Sequence, residues 1–262
     1  LEQEVASRLM EKLAFQRLEP RRILDLGCGT GDSSARLKKQ FRSAEVIGLD
    51  SSIRMIEGLN KRSGLLRPLR PVCADFTRLP FPERSFDLVF SNLAIQWCDD
   101  PARLFNELRR VLAPGGMLVF STLGIGTFDE LAQCWLQTGD DAVVAGFVDI
   151  LEHGDALMTA GFREPVMDAE RIRLEYSSLK KMVTELRATG MIEFLRNGDV
   201  ESRMEALADA YRAYADGNRY PVSFEIVYGT AFGPEDGQPR KTAEGDVVTF
   251  SVESLRRTRP GN

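Results

Sequence analysis

Three glycines at alternate positions, with a carboxylate two residues ahead of them, are the part of this sequence most able to do chemistry. Asp25 belongs to an apolar run, and Gly27, Gly29 and Gly31 follow it. Because glycine has no Cβ, such a loop lets backbone amides approach a ligand closely at the carboxyl end of a strand. A dinucleotide site would need its last glycine at position 32, which Asp32 occupies. The spacing therefore favours a different nucleotide-like ligand.

An acid followed by G-x-G-x-G resembles the S-adenosylmethionine site of Rossmann-like methyltransferases. The resemblance implies that Asp25 holds the ammonium group of this cofactor, directly or through water. The loop amides and the start of the next helix would bind its carboxylate. Cys28 lies inside the loop and is assigned to cofactor binding, without a nucleophilic role, since no neighbour in sequence would lower the pKa of its thiol.

The second predicted strand ends in another acid, Asp50, 19 residues after Gly31. A carboxylate at this point can accept hydrogen bonds from both ribose hydroxyls. The alternative is that Asp50 caps the next helix, where Ser51 or Ser52 could serve equally well. We assign Ser51 to the cofactor loop as well. Met55, one turn into that helix, is expected in the core with its edge against the adenine.

Two further pairs follow the third and fourth predicted strands. Asp75 can accept a hydrogen bond from the adenine amino group while Phe76 flanks the ring, although an acid at this point is also a common turn residue. Asn92 and Leu93 are predicted to lie in the cofactor loop at the methyl end. The acid-Pro-Pro-aromatic signature of amino-group methyltransferases is absent after the fourth strand, which disfavours N-methylation.

The substrate site is expected to involve polar and aromatic residues near the ends of the later strands: Gln96, Trp97, Thr122, Trp135 and Tyr228. For Trp97, packing in the core is an equally open alternative. No residue is assigned as an acid, base or nucleophile. We expect catalysis by positioning a carboxylate against a sulfonium.

Composition excludes several other classes. The formal net charge of −5 disfavours general nucleic-acid binding. Four cysteines without a C-x-x-C pair and one histidine, His153, leave too few ligands for zinc, so no metal is expected. His153 itself is predicted to be a surface or structural residue. The apolar runs are too short to span a membrane, and free thiols favour a cytoplasmic protein.

Strands alternate with amphipathic helices from Arg21 onward. This pattern predicts an α/β fold of the Rossmann-like class I methyltransferase type, with a central, mostly parallel sheet flanked by helices. The predicted strands cover residues 22–27, 45–50, 69–74, 86–91, 117–123, 164–176 and 221–232.

The rest of the chain is predicted to form part of a single domain, 1–262. Segments 126–149 and 177–216 are expected to form a helical substrate lid before the last strand. Residues 233–262 are expected to be a loosely held tail, with 247–252 as a candidate edge strand. Because the sequence opens inside an amphipathic helical pattern, we also expect a segment to precede Leu1.

Three later segments carry a narrower resemblance, to the malonyl-acyl-carrier-protein O-methyltransferases of biotin synthesis. They are residues 120–131, 154–168 and 220–229; residues 3–9 fit as well, so the resemblance covers about residues 1–232. Ile125 departs from the family pattern, where proline is expected, and residues 186–191 keep only part of the family's lid motif.

The resemblance implies transfer of a methyl group from S-adenosylmethionine to the free carboxylate of malonyl-acyl carrier protein, with S-adenosylhomocysteine as product. Four cations in the lid could steer the acidic carrier protein, although a solvated face is the simpler reading: Lys180, Lys181, Arg187 and Arg196.

Two alternatives remain open from the sequence. One is a methyltransferase acting on another small acid or a quinone precursor. The other is a non-methylating assembly factor or hydroxylase that binds the same cofactor, since relatives of this family include one.

Overall fold

The structure is a computed structural model. It describes residues 1–14, 16–64, 68–137, 146–194, 204–215, 217, 219–235, 239–242 and 245–248. The chain divides into two compact units: one comprises Leu1–Thr122, Leu151–Asp168 and Tyr228–Asn262, and the other comprises Leu123–Ile150 and Ala169–Val227.

The helices are α1 (Glu2–Ala14), α2 (Asp32–Gln40), α3 (Ile53–Arg62), α4 (Pro101–Val111), α5 (Asp129–Gln137), α6 (Ile150–Thr159), α7 (Leu179–Ala188) and α8 (Met204–Tyr211). The strands are β1 (Arg22–Leu26), β2 (Glu45–Asp50), β3 (Arg70–Cys73), β4 (Phe86–Asn92), β5 (Leu112–Leu123), β6 (Arg163–Tyr176), β7 (Tyr220–Phe232), β8 (Pro239–Thr242) and β9 (Gly245–Val248). Short 3-10 helices cover Ile95–Trp97 and Met191–Phe194.

Seven strands form the main sheet in the order β3-β2-β1-β4-β5-β7-β6. The pairs β1–β2, β1–β4, β2–β3 and β4–β5 are parallel. The strand order reverses its direction between β1 and β4. In open α/β sheets, ligands bind outside the carboxyl ends of the strands at such a reversal. The predicted Rossmann-like α/β fold is confirmed.

The central strands form because their side chains are apolar on both faces, as a parallel sheet covered on both sides requires. In β1, the four residues from Ile23 to Leu26 are all buried. α4 begins where the Asp100 carboxylate accepts a hydrogen bond from the Arg103 amide at 2.9 Å. One face of α4 then buries Leu104 and Leu108 in the core.

The predicted strands agree with the structure to within a residue or two, except for β5. We expected it to begin at Met117, after a turn at Pro114, but it begins at Leu112. The reason is that Leu112 already pairs with Phe86 of β4, and a register shift between Phe86 and Leu88 accommodates the extra residues. Gly115, with φ 68°, lies within this irregular stretch.

The later part of the chain was expected to contain an edge strand at 247–252 and a helical lid. Val247 and Val248 do lie in a strand, but β9 pairs with β8 in a separate antiparallel hairpin and is not an edge of the main sheet. Residues 249–252 lie outside the described residues. The helices α5, α7 and α8 lie in the segments predicted as a lid, and their role as a lid stays a prediction. None of the helices in the described part of the chain is long and apolar enough to cross a membrane.

Candidate functional site

The glycine loop after β1 adopts backbone conformations that side chains disfavour. Gly27, Gly29 and Gly31 have φ of 68°, 52° and 85°. A Cβ on Gly27 would lie 2.2 Å from the Cβ of Ala94, whereas a Cβ on Gly29 would meet nothing within 4 Å. Gly27 therefore permits close packing inside the protein. Gly29 borders open space in which a ligand can approach the loop.

Asp25 lies beneath this loop as a buried carboxylate with 1% of its surface exposed. The Ser34 hydroxyl at the start of α2 donates a hydrogen bond to it at 2.5 Å. Burial, and secondarily the charges of Asp50 and Asp32, raise the pKa of Asp25 to about 7, although the bond from Ser34 opposes the shift. A cation bound nearby would favour the ionised form. The site thus fits a positively charged cofactor.

Asp50 connects the end of β2 to the glycine loop. Its carboxylate accepts hydrogen bonds from the amide of Gly29 at 3.0 Å and from that of Ser52 at 2.9 Å. The second bond joins Asp50 to the amide two residues further on and closes a turn before α3. The N-cap of α3 is Ser52, so the alternative that Asp50 caps this helix is wrong. Because Asp50 is only half-buried, its carboxylate can still accept hydrogen bonds from a ribose.

After β3, Asp75 and Phe76 begin a turn. The Asp75 carboxylate accepts hydrogen bonds from the amide and the hydroxyl of Thr77, at 2.7 and 2.8 Å. These bonds lower the pKa of Asp75. The turn alternative is therefore realised, and Asp75 is exposed. Phe76 is half-buried against the hydrophobic core of the sheet. Binding of adenine by this pair stays a prediction.

Four of the predicted site residues lie close together at the carboxyl ends of β4 and β5. The Gln96 amide donates a hydrogen bond to the Leu93 carbonyl at 2.6 Å and accepts one from the Thr122 hydroxyl at 3.5 Å. The Asn92 amide donates to the carbonyl of Glu2 in α1 at 3.3 Å. Gln96 and Thr122 are both buried, so polar groups are concentrated where the sheet order predicts a ligand.

The structure corrects two expectations about apolar residues in this region. Met55 was expected in the core, but 42% of its surface is exposed. The core alternative for Trp97 is also wrong, since it too is 42% exposed. Met55 lies in the first turn of α3, and Trp97 is the last residue of the 3-10 helix Ile95–Trp97. Ser51 is exposed as well.

The remaining substrate candidates are buried aromatic residues. Tyr228 is 3% exposed, and the Lys12 ammonium lies 5.0 Å from the centre of its ring. Trp135 is 1% exposed and belongs to the second compact unit. Tyr228 belongs to the first unit, and a shared substrate site for the two residues stays a prediction.

Cys28 and His153 have surroundings that favour structural roles. Burial and the charges of Asp25 and Asp50 raise the pKa of the Cys28 thiol, so it stays protonated. His153 is 1% exposed, and its ring packs edge-on against Phe105 and near Phe120, with centroids 6.1 Å away in each case. The surface alternative for His153 is therefore wrong, and the structural one is right.

The sequence did not point to residues whose contact partners are distant in sequence. Ser121 of β5 hydrogen-bonds to Asn92 and Leu93, and no local motif marks it. Arg110 and Glu107 of α4 bind the loop after Asp75. Ser34 could have been found, because the first turn of the helix after a glycine loop faces the preceding strand.

In the second unit, Glu225 of β7 explains two glycines of the segment after β5. Its carboxylate accepts a hydrogen bond from the Gly126 amide at 2.7 Å, and its carbonyl accepts one from the Gly124 amide at 2.9 Å. A Cβ on Gly124 would lie 2.4 Å from the Glu225 carboxylate. Ile125, between the two glycines, is exposed. The glycines are needed so that the carboxylate can approach the backbone.

Comparison with known proteins agrees with the fold and the loop. A family model described as a methyltransferase domain matches residues 24–120. A putative methyltransferase from Bacillus halodurans has a similar fold, with a TM-score of 0.63 at 18% identity over 88% of this chain and 99% of that one. Phosphoethanolamine N-methyltransferase 2 of Haemonchus contortus in complex with S-adenosyl-L-methionine has a TM-score of 0.56 at 20% identity, over 87% of this chain and 53% of that one.

Relatives with higher sequence identity are also known. The malonyl-[acyl-carrier protein] O-methyltransferase of Halorhodospira halophila is 39% identical over 99% of this chain and 90% of its own length. The protein of the same name from Methylovorus sp. is 37% identical over 90% of this chain and 83% of its own length.

The fold, the glycine loop and these matches define a class I S-adenosylmethionine-dependent methyltransferase, with S-adenosylmethionine as its cofactor. Within this class, the chain belongs to the malonyl-[acyl-carrier protein] O-methyltransferase family. The resemblance drawn from the later sequence segments is confirmed.

Proposed function

We propose that this protein transfers the methyl group of S-adenosylmethionine to the free carboxylate of malonyl-acyl carrier protein, giving the methyl ester and S-adenosylhomocysteine. The observation that carries the proposal is the sequence identity of 39%, over 99% of this chain, to the malonyl-[acyl-carrier protein] O-methyltransferase of Halorhodospira halophila. The acyl carrier protein is the partner in this proposal, and neither nucleic acid, membrane nor metal takes part. A cytoplasmic location is included, supported by the four free thiols.

The cofactor is assigned to residues around the carboxyl ends of β1 to β4. The loop amides after Asp25 would bind its carboxylate, Asp25 its ammonium group and Asp50 its ribose hydroxyls. The adenine is assigned to the turn that starts at Asp75, beside Phe76. The half-buried Asp50 carboxylate and the open space beside Gly29 support this arrangement.

The proposed methyl transfer needs little acid–base catalysis from the protein. S-adenosylmethionine supplies an electrophilic methyl group on a cationic sulfonium. A malonyl carboxylate is already ionised at neutral pH, so no general base is needed. Gln96 and Thr122 are assigned to orient this carboxylate through their buried polar groups. The contribution of the protein is then orientation and the exclusion of water.

The experiment that tests the proposal is an assay of S-adenosylhomocysteine formation with malonyl-acyl carrier protein, with malonyl-CoA and free malonate as competing acceptors. We expect the highest kcat/KM with the carrier-bound substrate. Turnover only with free small acids would show that the family activity has changed in this protein. Binding of the cofactor without turnover of any acceptor would favour a non-methylating role.

The assignment of the ribose to Asp50 is tested with the variant Asp50→Ala, and Asp87→Asn is its matched control. Loss of the ribose contact should weaken the binding of S-adenosylhomocysteine by about tenfold to a hundredfold, since removal of a hydrogen bond to a charged group costs about 1.5–3 kcal/mol. Asp87→Asn should leave the affinity unchanged, because Asp87 binds the amides of Arg21 and Arg22 at the start of β1.

A further inference from the structure

Leu93, directly after β4, has a backbone conformation that a leucine rarely adopts. Its φ is 49°, in the left-handed region that favours glycine. The residue is 7% exposed, so Leu93 is buried in a backbone conformation that its side chain disfavours. Residues other than glycine keep a left-handed backbone conformation only where the surrounding structure stabilises it, and such residues cluster at functional sites.

Three hydrogen bonds hold Leu93 in this conformation. Its amide donates to the Ser121 hydroxyl at 3.0 Å and to the Ser121 carbonyl at 3.1 Å. Its carbonyl accepts from the Gln96 side chain at 2.6 Å. Ser121 has no exposed surface, so the two bonds that it accepts from the Leu93 amide lie in a region shielded from water.

The same hydroxyl also orients Asn92. It accepts from the Leu93 amide and donates to the Asn92 side-chain carbonyl at 3.0 Å. The next residue, Ala94, packs against Gly27, where a Cβ would lie 2.2 Å from the Ala94 methyl carbon. One buried serine thus fixes the segment 92–96 next to the glycine loop.

We propose that Ser121 is a positioning residue for methyl transfer, which holds segment 92–96 in its strained conformation. The inference rests on the proposed function for the assignment of Asn92 and Leu93 to the methyl end of the cofactor. The proposed function assigns most of the cofactor contacts to the glycine loop, Asp50 and the turn at Asp75. Ser121 therefore acts on turnover more than on cofactor binding.

The test compares Ser121→Ala with Ser91→Ala. Ser91 is the matched control, since it is equally buried and its hydroxyl makes one bond, to the Leu26 carbonyl at 3.0 Å. We expect Ser121→Ala to lower kcat by about tenfold or more while the Kd for S-adenosylhomocysteine changes less than about threefold. Ser91→Ala should lower the melting temperature similarly and keep kcat within about threefold of the wild type. Equal effects of the two substitutions on kcat would overturn the proposal.

A second variant separates positioning from stability. Glycine adopts a positive φ without strain, so Leu93→Gly should reduce the dependence on Ser121. In the Leu93→Gly background, we expect Ser121→Ala to cost less than about threefold in kcat. The same fold loss in both backgrounds would contradict the positioning role.

Hydrogen exchange gives a readout that does not require turnover. In complexes with S-adenosylhomocysteine, the amides of 93–97 should exchange faster in Ser121→Ala than in the wild type and Ser91→Ala. Unchanged exchange would overturn the positioning role even if wild-type activity is found. Failure of the wild type to methylate malonyl-acyl carrier protein would contradict the proposed function alone, and the exchange comparison would still decide the role of Ser121.

Discussion

At the scale of single residues, Asp25 is an acid buried close to two other acids, Asp32 and Asp50. Its pKa is raised to about 7 from 3.8, chiefly by burial and then by the nearby charges of Asp50 and Asp32. Because the pKa of Asp25 is higher in the folded than in the unfolded chain, the contribution of Asp25 to the free energy of unfolding is fully present below the unfolded pKa. This contribution is lost as the pH rises from about 4 to about 7, because ionisation of the carboxyl group favours the unfolded chain.

Asp25→Asn should therefore stabilise the protein in the absence of cofactor, and only at higher pH. The asparagine keeps an acceptor for the Ser34 hydroxyl but cannot ionise. At pH 8 we expect a gain in the free energy of unfolding of up to about 4 kcal/mol, at about 1.4 kcal/mol per unit of pKa. The gain should vanish toward pH 4. Urea unfolding at several pH values measures it, and a gain independent of pH would assign the effect to packing.

The same residue should link cofactor binding to proton release. Because a cationic ligand favours the ionised carboxylate, the Kd for S-adenosylmethionine should rise as pH falls below about 7, by at most about tenfold per unit. Calorimetry in buffers of different ionisation enthalpy should detect the released proton. In Asp25→Asn the affinity should be lower and nearly independent of pH; a wild-type slope in that variant would rule out Asp25 as the linked group.

At the scale of elements, α4 secures the loop that follows the turn at Asp75. The Arg110 guanidinium donates to the carbonyls of Phe81 and Leu79 at 2.7 and 2.9 Å, and the Glu107 carboxylate accepts from the Leu79 amide at 2.9 Å. Arg110 and Glu107 also bind each other, which lowers the pKa of Glu107. A helix on one side of the sheet thus determines where the proposed adenine loop lies.

Arg110→Ala should loosen this loop. We expect a loss of about 1–3 kcal/mol in the free energy of unfolding, since Glu107 and two carbonyls lose a charged donor. Cofactor affinity should fall with it, because the loop carries the proposed adenine contacts. Arg103→Ala on the same helix is the control. Arg103 is exposed, so its loss should change stability by no more than about 0.5 kcal/mol. Thermal unfolding and titration of S-adenosylhomocysteine measure both effects, and similar losses in the two variants would argue against the loop contacts.

At the scale of the whole molecule, charge bears on the choice of partner. The chain has a formal net charge of −5, so an acidic carrier protein would be repelled unless cations are concentrated locally. Lys180, Lys181 and Arg187 of α7 are all exposed. Arg196, the fourth cation considered, lies outside the described residues.

Reversal of the three α7 cations to glutamate should raise the KM for malonyl-acyl carrier protein by about tenfold or more, with little change in kcat, because steering acts on encounter. The KM for malonyl-CoA should change much less. A control with Lys39, Arg42 and Lys61 reversed carries the same change in net charge on other exposed positions. If both triple variants raise KM equally, net charge and not an α7 docking surface is responsible.

Much of the fold and of the cofactor loop could be predicted from the sequence because those signals are local. The alternation of apolar strands with amphipathic helices is a property of neighbouring residues, and it predicted β1 to β4 nearly to the residue. The spacing of Gly27, Gly29 and Gly31 distinguished one cofactor from another for the same reason. A positive φ at all three positions favours glycine over residues that carry a Cβ.

The tertiary structure decided what depends on residues distant in sequence. His153 is buried against Phe105 and Phe120, whereas Met55 and Trp97 are each 42% exposed, and the sequence pattern around these residues did not show either outcome. The strain at Leu93 is sustained by a serine 28 residues away. Packing, dielectric environment and backbone strain arise only when separate strands are brought side by side. The sequence by itself thus determined the class of fold and the cofactor, whereas the ionisation of Asp25 and the role of Ser121 became visible only in three dimensions.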